Sequence, residues 1–257
     1  MWLTAFKATW RQTFQLTTRY LFNFVSAIIT MVLVFLFMFY GVKGLGAGAL
    51  DLGETLEGLF TGYIVWMIVL IGYQDLAYDA ANQAQTGTLE QLYLSPLGYK
   101  WLALFTQSLN TVLNLALVCL TTAIMVLTTG QKLHLKVLSI LPVFLGVYVQ
   151  ASGLGLALAG LALIFKRIQS FFQVVTFGVI GLFMIPWSRC PWAKYLPFTM
   201  GQHLLREVMM KGMKITRVHG THLAVFGVVT VACFVAGLAL FSLAEKKAKS
   251  SGLLGQY

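Results

Sequence analysis

The sequence predicts an all-α integral membrane protein with six transmembrane helices, and three observations lead there. Of its 257 residues, 58% are hydrophobic and only 10% charged, where a soluble domain carries roughly 25% charged residues. Its mean hydropathy is +0.80. Uncharged runs long enough to cross a bilayer also recur along the chain, since about 20 apolar residues in a helix span the roughly 30 Å hydrocarbon core.

These runs place spans at 21–40, 59–75, 101–129, 137–165, 168–187 and 222–244. The uncharged part of the second is the shortest, Leu59 to Tyr73. Before the first span, residues 1–20 set Trp2, Leu3, Phe6, Trp10 and Phe14 on one helical face and Lys7, Arg11, Gln15 and Arg19 on the other. That is the pattern of an amphipathic helix lying in the membrane interface. The stretch lacks a small-residue cleavage site and is expected to stay in the mature protein.

A Gly-rich loop from Gly41 to Gly58 holds Asp51, Glu54 and Glu57, a basic turn holds Lys132, His134 and Lys136, and Lys166 and Arg167 part the fourth and fifth spans. Residues 188–221 form a longer outer segment rich in Pro, Met and basic residues. Cys119 and Cys233 fall inside spans and Cys190 in a loop, which assembles no disulfide framework. An even number of spans puts both termini on one side. With the termini cytoplasmic, the inner side holds Lys7, Arg11, Arg19, Lys100, Lys166, Arg167, Lys246, Lys247 and Lys249. The outer side holds Lys43, Lys132, Lys136 and the basic residues of 188–221, so the positive-inside rule favours this orientation only when that segment is set aside.

No Gly-x-x-x-x-Gly-Lys-[Ser/Thr] run occurs, which excludes a P-loop ATPase site in this chain. The uncharged runs offer no intramembrane acid or base for coupling to an ion gradient. A pump of this composition takes its energy from another protein, and the polar stretch Tyr73 to Gly98 is the place to meet it. Asp75, Asp79, Asn82 and Gln83 share one face of a helical continuation of the second span. Thr88-x-x-Gln91 has the form of a capping box, with Glu90 in the first turn. Leu89, Leu92 and Tyr93 then fall on one face, and Pro96 turns Ser95 away from helix. From physics alone this is either a docking knob or a plain helical turn between spans.

The run Gln85-Thr-Gly-Thr-Leu-Glu-Gln-Leu-Tyr-Leu-Ser-Pro-Leu97 resembles the cytoplasmic signature of the type 2 ABC exporter permeases, Gly-Thr-Leu-Glu followed by Ser-Pro. A second stretch, Leu196 to Gly212, resembles the family's Pro…Leu-Arg segment between the last two spans, through Pro197, Leu205 and Arg206. The resemblance covers essentially the whole chain. It implies a coupling helix at 82–97 that puts Gly87, Thr88, Leu89, Glu90, Gln91, Leu92, Ser95 and Pro96 against an ABC ATPase subunit. It also implies an outer segment, 188–221, that re-enters the membrane. ATP and Mg would be bound by the ATPase partner and no cofactor by this chain. A second permease copy, as a homodimer in the cell's inner (plasma) membrane, completes the complex, with no nucleic-acid partner.

A cargo path is sought among polar residues within spans. Gln107, Asn110, Thr111 and Asn114 form a stripe on the third span, and Gln169, Gln173 and Thr176 a second on the fifth; each reads as helix-to-helix glue or as pathway lining. Gly146, Gln150, Gly153, Ala157 and Gly160 read as a close-packing stripe. His203, His219 and His222 lack the neighbouring carboxylates of a metal site, Glu207 apart, and no metal is expected. The resulting expectation is a transport subunit, not an enzyme, moving a lipid, drug-like or polymeric cargo. The rivals are a self-contained membrane enzyme or channel and an ion-coupled carrier.

Overall fold

A computed structural model describes residues 2–45, 52–86, 98–131, 133–134, 136–165, 168–183 and 191–250, and these are all-helical with no strand among them. In chain order the helices are α1 (Trp2–Arg19), α2 (Leu21–Leu45), α3 (Leu52–Thr86), α4 (Gly98–Thr129), α5 (Val137–Ile164), α6 (Gln169–Phe183), α7 (Thr199–Met209) and α8 (Gly220–Ser250). Single 3-10 turns at Pro191–Tyr195 and Ile215–Arg217 flank α7.

Five of the described helices are long and apolar enough to cross a membrane: Leu21–Gly44, Leu56–Gln83, Phe105–Thr129, Val137–Ile164 and Gly220–Ala248. The chain is a multi-pass membrane protein in its architecture. The predicted span at 168–187 corresponds to α6, a 15-residue apolar helix whose continuation, 184–187, lies outside the described residues. The second helix runs unbroken past Asp75 and Asp79 to Thr86, in line with the helical continuation expected there, and its apolar window, Leu56–Gln83, is longer than the span placed at 59–75. The apolar window is carried across the acids by Leu76, Ala77, Ala80 and Ala81, all buried.

Helices α3 and α5 form the centre, and the others surround them. Phe35 on α2 meets Phe60 and Tyr63 on α3, the rings 5.2 Å apart in each case, and Tyr63 donates to the Met31 carbonyl at 2.6 Å. Rising residue numbers on α2 thus meet falling ones on α3, an antiparallel pair. α3, α5 and α8 run one way; α2, α4 and α6 run the other.

Close backbone approach explains why α5 sits between α3 and α8. A methyl group on Gly72 would lie 2.8 Å from Ala151 Cβ, and one on Gly155 would lie 2.9 Å from the Tyr73 carbonyl oxygen. On its opposite side the small-residue stripe faces α8: Gly153 abuts Cys233 and Gly237, and Gly160 abuts Phe241 and Ala244. In lipid, where apolar surface is not driven inward, such dispersion contact between backbones is a principal source of helix association. The outer surfaces of α2, α4 and α8 remain apolar and open, with Phe22 and Phe37, Leu127, and Val228 and Val231 exposed respectively, as helices solvated by acyl chains require.

Helix α1 does not stand apart. Trp2 meets Trp101 at 5.1 Å and Phe105 at 6.3 Å, Phe6 meets Phe105 at 5.4 Å, and Trp10 Nε1 donates to Ser108 Oγ at 3.4 Å. Successive turns of α1 therefore follow successive turns of α4 in the same direction, while Lys7 and Arg11 stay exposed.

Between α6 and α8 the chain folds back into the bundle. Phe198 has a left-handed backbone, φ 68°, a strained geometry for a residue with a side chain. Gln150 holds this turn: its Oε1 accepts the Phe198 N–H and its Nε2 donates to Thr230 Oγ1, both at 2.8 Å. Thr199 Oγ1 adds bonds to the Ala193 and Leu196 carbonyls at 2.7 and 3.0 Å. From there α7 buries Met200, Leu204, Leu205 and Val208.

Candidate functional site

The eight residues expected to couple to an ATPase, Gly87, Thr88, Leu89, Glu90, Gln91, Leu92, Ser95 and Pro96, lie outside the described residues. Their flanking helices are described. Thr86 ends α3 and Gly98 begins α4 at the end of the bundle where α1 starts beside Trp101. The same end receives the last part of α8, where Phe241 and Ala248 pack with Ala80, Ala159 and Leu163.

The polar stripe of α4 is where the structure adds most. Asn114 Nδ2 donates to Asp75 Oδ2 at 2.6 Å and to the Tyr148 hydroxyl at 3.1 Å. Gln107 Nε2 donates to the same hydroxyl at 2.9 Å and reaches Ser152 Oγ at 3.5 Å. The Thr111 hydroxyl donates to the Gln107 backbone carbonyl at 2.7 Å. Asn110 is half-buried and takes no part in these bonds. Three helices thus meet at one polar cluster: Asp75 from α3; Gln107, Thr111 and Asn114 from α4; Tyr148 and Ser152 from α5.

The spacing of α4 produces this. Positions 107, 111 and 114 share one face of a helix, and that face is turned to α3 and α5, while Val112 and Leu120 look outward. Asn114 stands nine residues into the apolar window that begins at Phe105, or roughly 14 Å along the axis. Polar groups so far from water find partners within the protein.

Beside the cluster lies a cavity of about 230 Å³, bordered by Gln107, Thr111, Tyr148 and Ser152 on one side and by Leu156, Phe234, Leu238 and Phe241 on the other. A larger groove of about 510 Å³, lined by Ile64, Ile68, Val118, Thr122, Phe144 and Leu205 among others, runs along α4 toward its far end.

The second predicted stripe behaves differently. Thr176 bonds the Tyr73 hydroxyl, which also donates to the Phe172 carbonyl at 3.3 Å. Gln169 and Gln173 are exposed on α6. In the single chain the two stripes do not face one another: that of α4 meets α3 and α5, and Thr176 meets α3 on another side.

Of the residues expected in the outer segment, Leu205 is fully buried, the Pro197 carbonyl accepts the Thr199 N–H at 2.8 Å, and Arg206 lies 3.8 Å from Glu57. That ion pair ties α7 to the start of α3. The His203 and His222 rings are 5.3 Å apart, and those of His219 and His222 6.0 Å. Burial pushes the His203 imidazole below its usual range; Glu207 opposes this, while His222, Lys211 and Arg206 add to it. Among the described residues no three His, Cys, Asp or Glu side chains converge on a metal-sized site.

Sequence reasoning missed Asp75 and Tyr148 as members of the cluster. It assigned Asp75 to a cytoplasmic extension, and Tyr148 carried no flag. One signal was present: a tyrosine in the middle of an apolar run, away from the interfacial belts where tyrosine concentrates. No family model matches the chain, and no curated protein matches it.

Proposed function

We propose that this chain is the membrane-spanning permease subunit of an ATP-driven ABC exporter, working with a separate ATPase subunit and a second permease copy to move a lipid, drug-like or polymeric cargo. In this reading it crosses the inner (plasma) membrane six times, α6 being the fifth span. Both termini are cytoplasmic, and residues 188–221 with α7 form the outer re-entrant segment.

One observation carries the reading: the Gly-Thr-Leu-Glu…Ser-Pro run occupies the connection between α3 and α4, two long antiparallel helices. At this end of the bundle α1 and the basic end of α8 also gather. A docking element there is attached to α3, the most buried of the apolar helices. A push on the connection moves α3 as a rigid rod and, through Gly72 and Gly155, moves α5 with it. In the exporter reading this is how closure of the ATPases reaches the membrane.

The polar cluster favours a second reading, an ion-coupled carrier. The uncharged runs of the sequence argue against such a carrier, but Asp75 now stands within the apolar window Leu56–Gln83, held by Asn114. Intramembrane carboxylates of this kind mark ion and proton paths.

Co-purification with candidate ATPase subunits separates the two. The wild type retains an ATPase, and Glu90→Arg and Leu92→Asp release it. Absence of any ATPase partner, together with transport that follows an imposed ion gradient, removes the exporter reading in favour of the carrier.

A further inference from the structure

We propose that the groove between α4 and α5 holds one acyl chain of an anionic phospholipid, whose phosphate lies against the basic segments 134–139 and 207–217 at the groove's end. The occupant is a resident membrane lipid, and its binding stands whether or not the chain is a permease.

The groove exists because two consecutive helices part. Helices α4 and α5 are joined by a short turn, yet each packs on α3 more than on the other. Ile64 and Ile68 of α3 form the floor, Leu115 to Leu127 of α4 one wall, and Ile140 and Phe144 of α5 the other. Floor and walls fall within the apolar windows Leu56–Gln83, Phe105–Thr129 and Val137–Ile164, so the groove faces hydrocarbon.

Its length fits one leaflet. The twelve residue steps from Leu115 to Leu127 are roughly 18 Å of helix. Half of the hydrocarbon core is about 15 Å. Leu115 stands ten residues into the α4 window and Leu127 two from its end, which carries the groove from the bilayer centre to one interface. That is the course of a single acyl chain whose headgroup sits at the Leu127 end.

Charge names the headgroup. Val137 and Met209 line the groove, and each adjoins a segment fixed to the other. The His134 N–H donates to the Met209 carbonyl at 2.8 Å, the Lys136 ammonium bonds the Gly212 carbonyl, and the Ile215 N–H donates to Ser139 Oγ at 3.4 Å. The two segments carry Lys136, Lys211, Lys214 and Arg217, all exposed, and one acid, Glu207, which Lys211 engages at 2.7 Å. An ammonium has three N–H donors, so the bond to Gly212 leaves Lys136 able to donate to a phosphate. Basic side chains at the end of an apolar groove complement a phosphate carried on an acyl chain. A zwitterionic headgroup brings its own cation to the same place, and phosphatidylglycerol is therefore preferred to phosphatidylcholine.

The test delipidates the full chain in detergent and offers equal amounts of phosphatidylglycerol and phosphatidylcholine with identical acyl chains. Native mass spectrometry then counts the adducts. Retention of one phosphatidylglycerol at least about fivefold over phosphatidylcholine is expected, the order of a single Lys or Arg at an anionic surface. Lys214→Gln with Arg217→Gln, both exposed, removes the preference. Lys246→Gln with Lys247→Gln, at the opposite end of the bundle, leaves it intact. Ala123→Trp, exposed on the α4 wall, fills the groove and lowers phosphatidylglycerol retention to that of phosphatidylcholine. Unfolding midpoints give a second readout: phosphatidylglycerol raises that of the wild type and of the α8 pair, but not those of the other two variants. Equal retention of both lipids by the wild type overturns the proposal. A preference untouched by Ala123→Trp, or one lost with the α8 pair instead of the Lys214 and Arg217 pair, means general attraction of anionic lipid to a basic surface and overturns it as well.

Discussion

Asn114 Nδ2 donates to Asp75 Oδ2 at 2.6 Å, and this half-buried bond fastens α4 to α3 within the apolar windows of both helices. Its removal is asymmetric in cost. Asp75→Ala strands the Asn114 donor inside the bundle, at about 1–3 kcal/mol for an unsatisfied buried group. Intramembrane bonds are worth about 0.6–2 kcal/mol by direct measurement, so the lower part of that range applies. Asp75→Asn keeps a partner and stays within about 0.5 kcal/mol of the wild type. Thermal unfolding in detergent checks both; an alanine variant that melts with the wild type means the bond does not hold the helices.

The α4 stripe was legible because helical periodicity alone puts Gln107, Thr111 and Asn114 on one face. Its partners were not, because pairing across helices of distant sequence depends on the order in which α3, α4 and α5 assemble. The pairing of Asp75 with Asn114 was missed for a sharper reason. A search for uncharged residues treats every carboxylate as a boundary, while a helix flanked by Leu76, Ala77, Ala80 and Ala81 carries one inside when a neighbour supplies a donor. Glycines told a similar story: the stripe on α5 announces close packing, but only the fold reveals that Gly153 meets Gly237 of α8 and that Gly72 and Gly155 bring α3 to the other side.

Gln150 joins α5, α8 and the turn before α7, through Thr230 and the Phe198 N–H. Gln150→Leu leaves the buried Phe198 N–H without its acceptor and removes the restraint on a left-handed backbone, a loss of about 1–3 kcal/mol. Hydrogen exchange should then rise across residues 191–217 and little elsewhere. Uniform loss of protection over all helices would mean that Gln150 supports the bundle as a whole.

Gly237 and Gly178 make a matched pair. A methyl group on Gly237 falls inside the van der Waals radius of the Gly153 backbone, whereas one on Gly178 meets nothing within 4 Å. Gly237→Ala therefore pushes α8 from α5 and costs about 1–3 kcal/mol. Gly178→Ala gains about 0.5–1 kcal/mol through helix propensity. Opposite shifts of the unfolding midpoint are expected, and a Gly237→Ala variant as stable as the wild type would show that α5 and α8 separate at no cost.

His203 makes stability depend on pH. Its imidazole is held below the ordinary range, first by burial, with Glu207 in opposition and His222, Lys211 and Arg206 in support. The unfolded chain protonates this group near its unperturbed value of about 6.5, the folded chain only at lower pH. Between those two values the unfolded state binds more protons, so stability rises with pH there. As pH falls from about 6.5 the folded state loses ground, until it too is protonated and the loss levels off; above that value this group has no effect. Denaturation midpoints taken from pH 8 to pH 5 should fall for the wild type, and His203→Gln should flatten the slope. An identical slope in the variant would assign the pH dependence to another group.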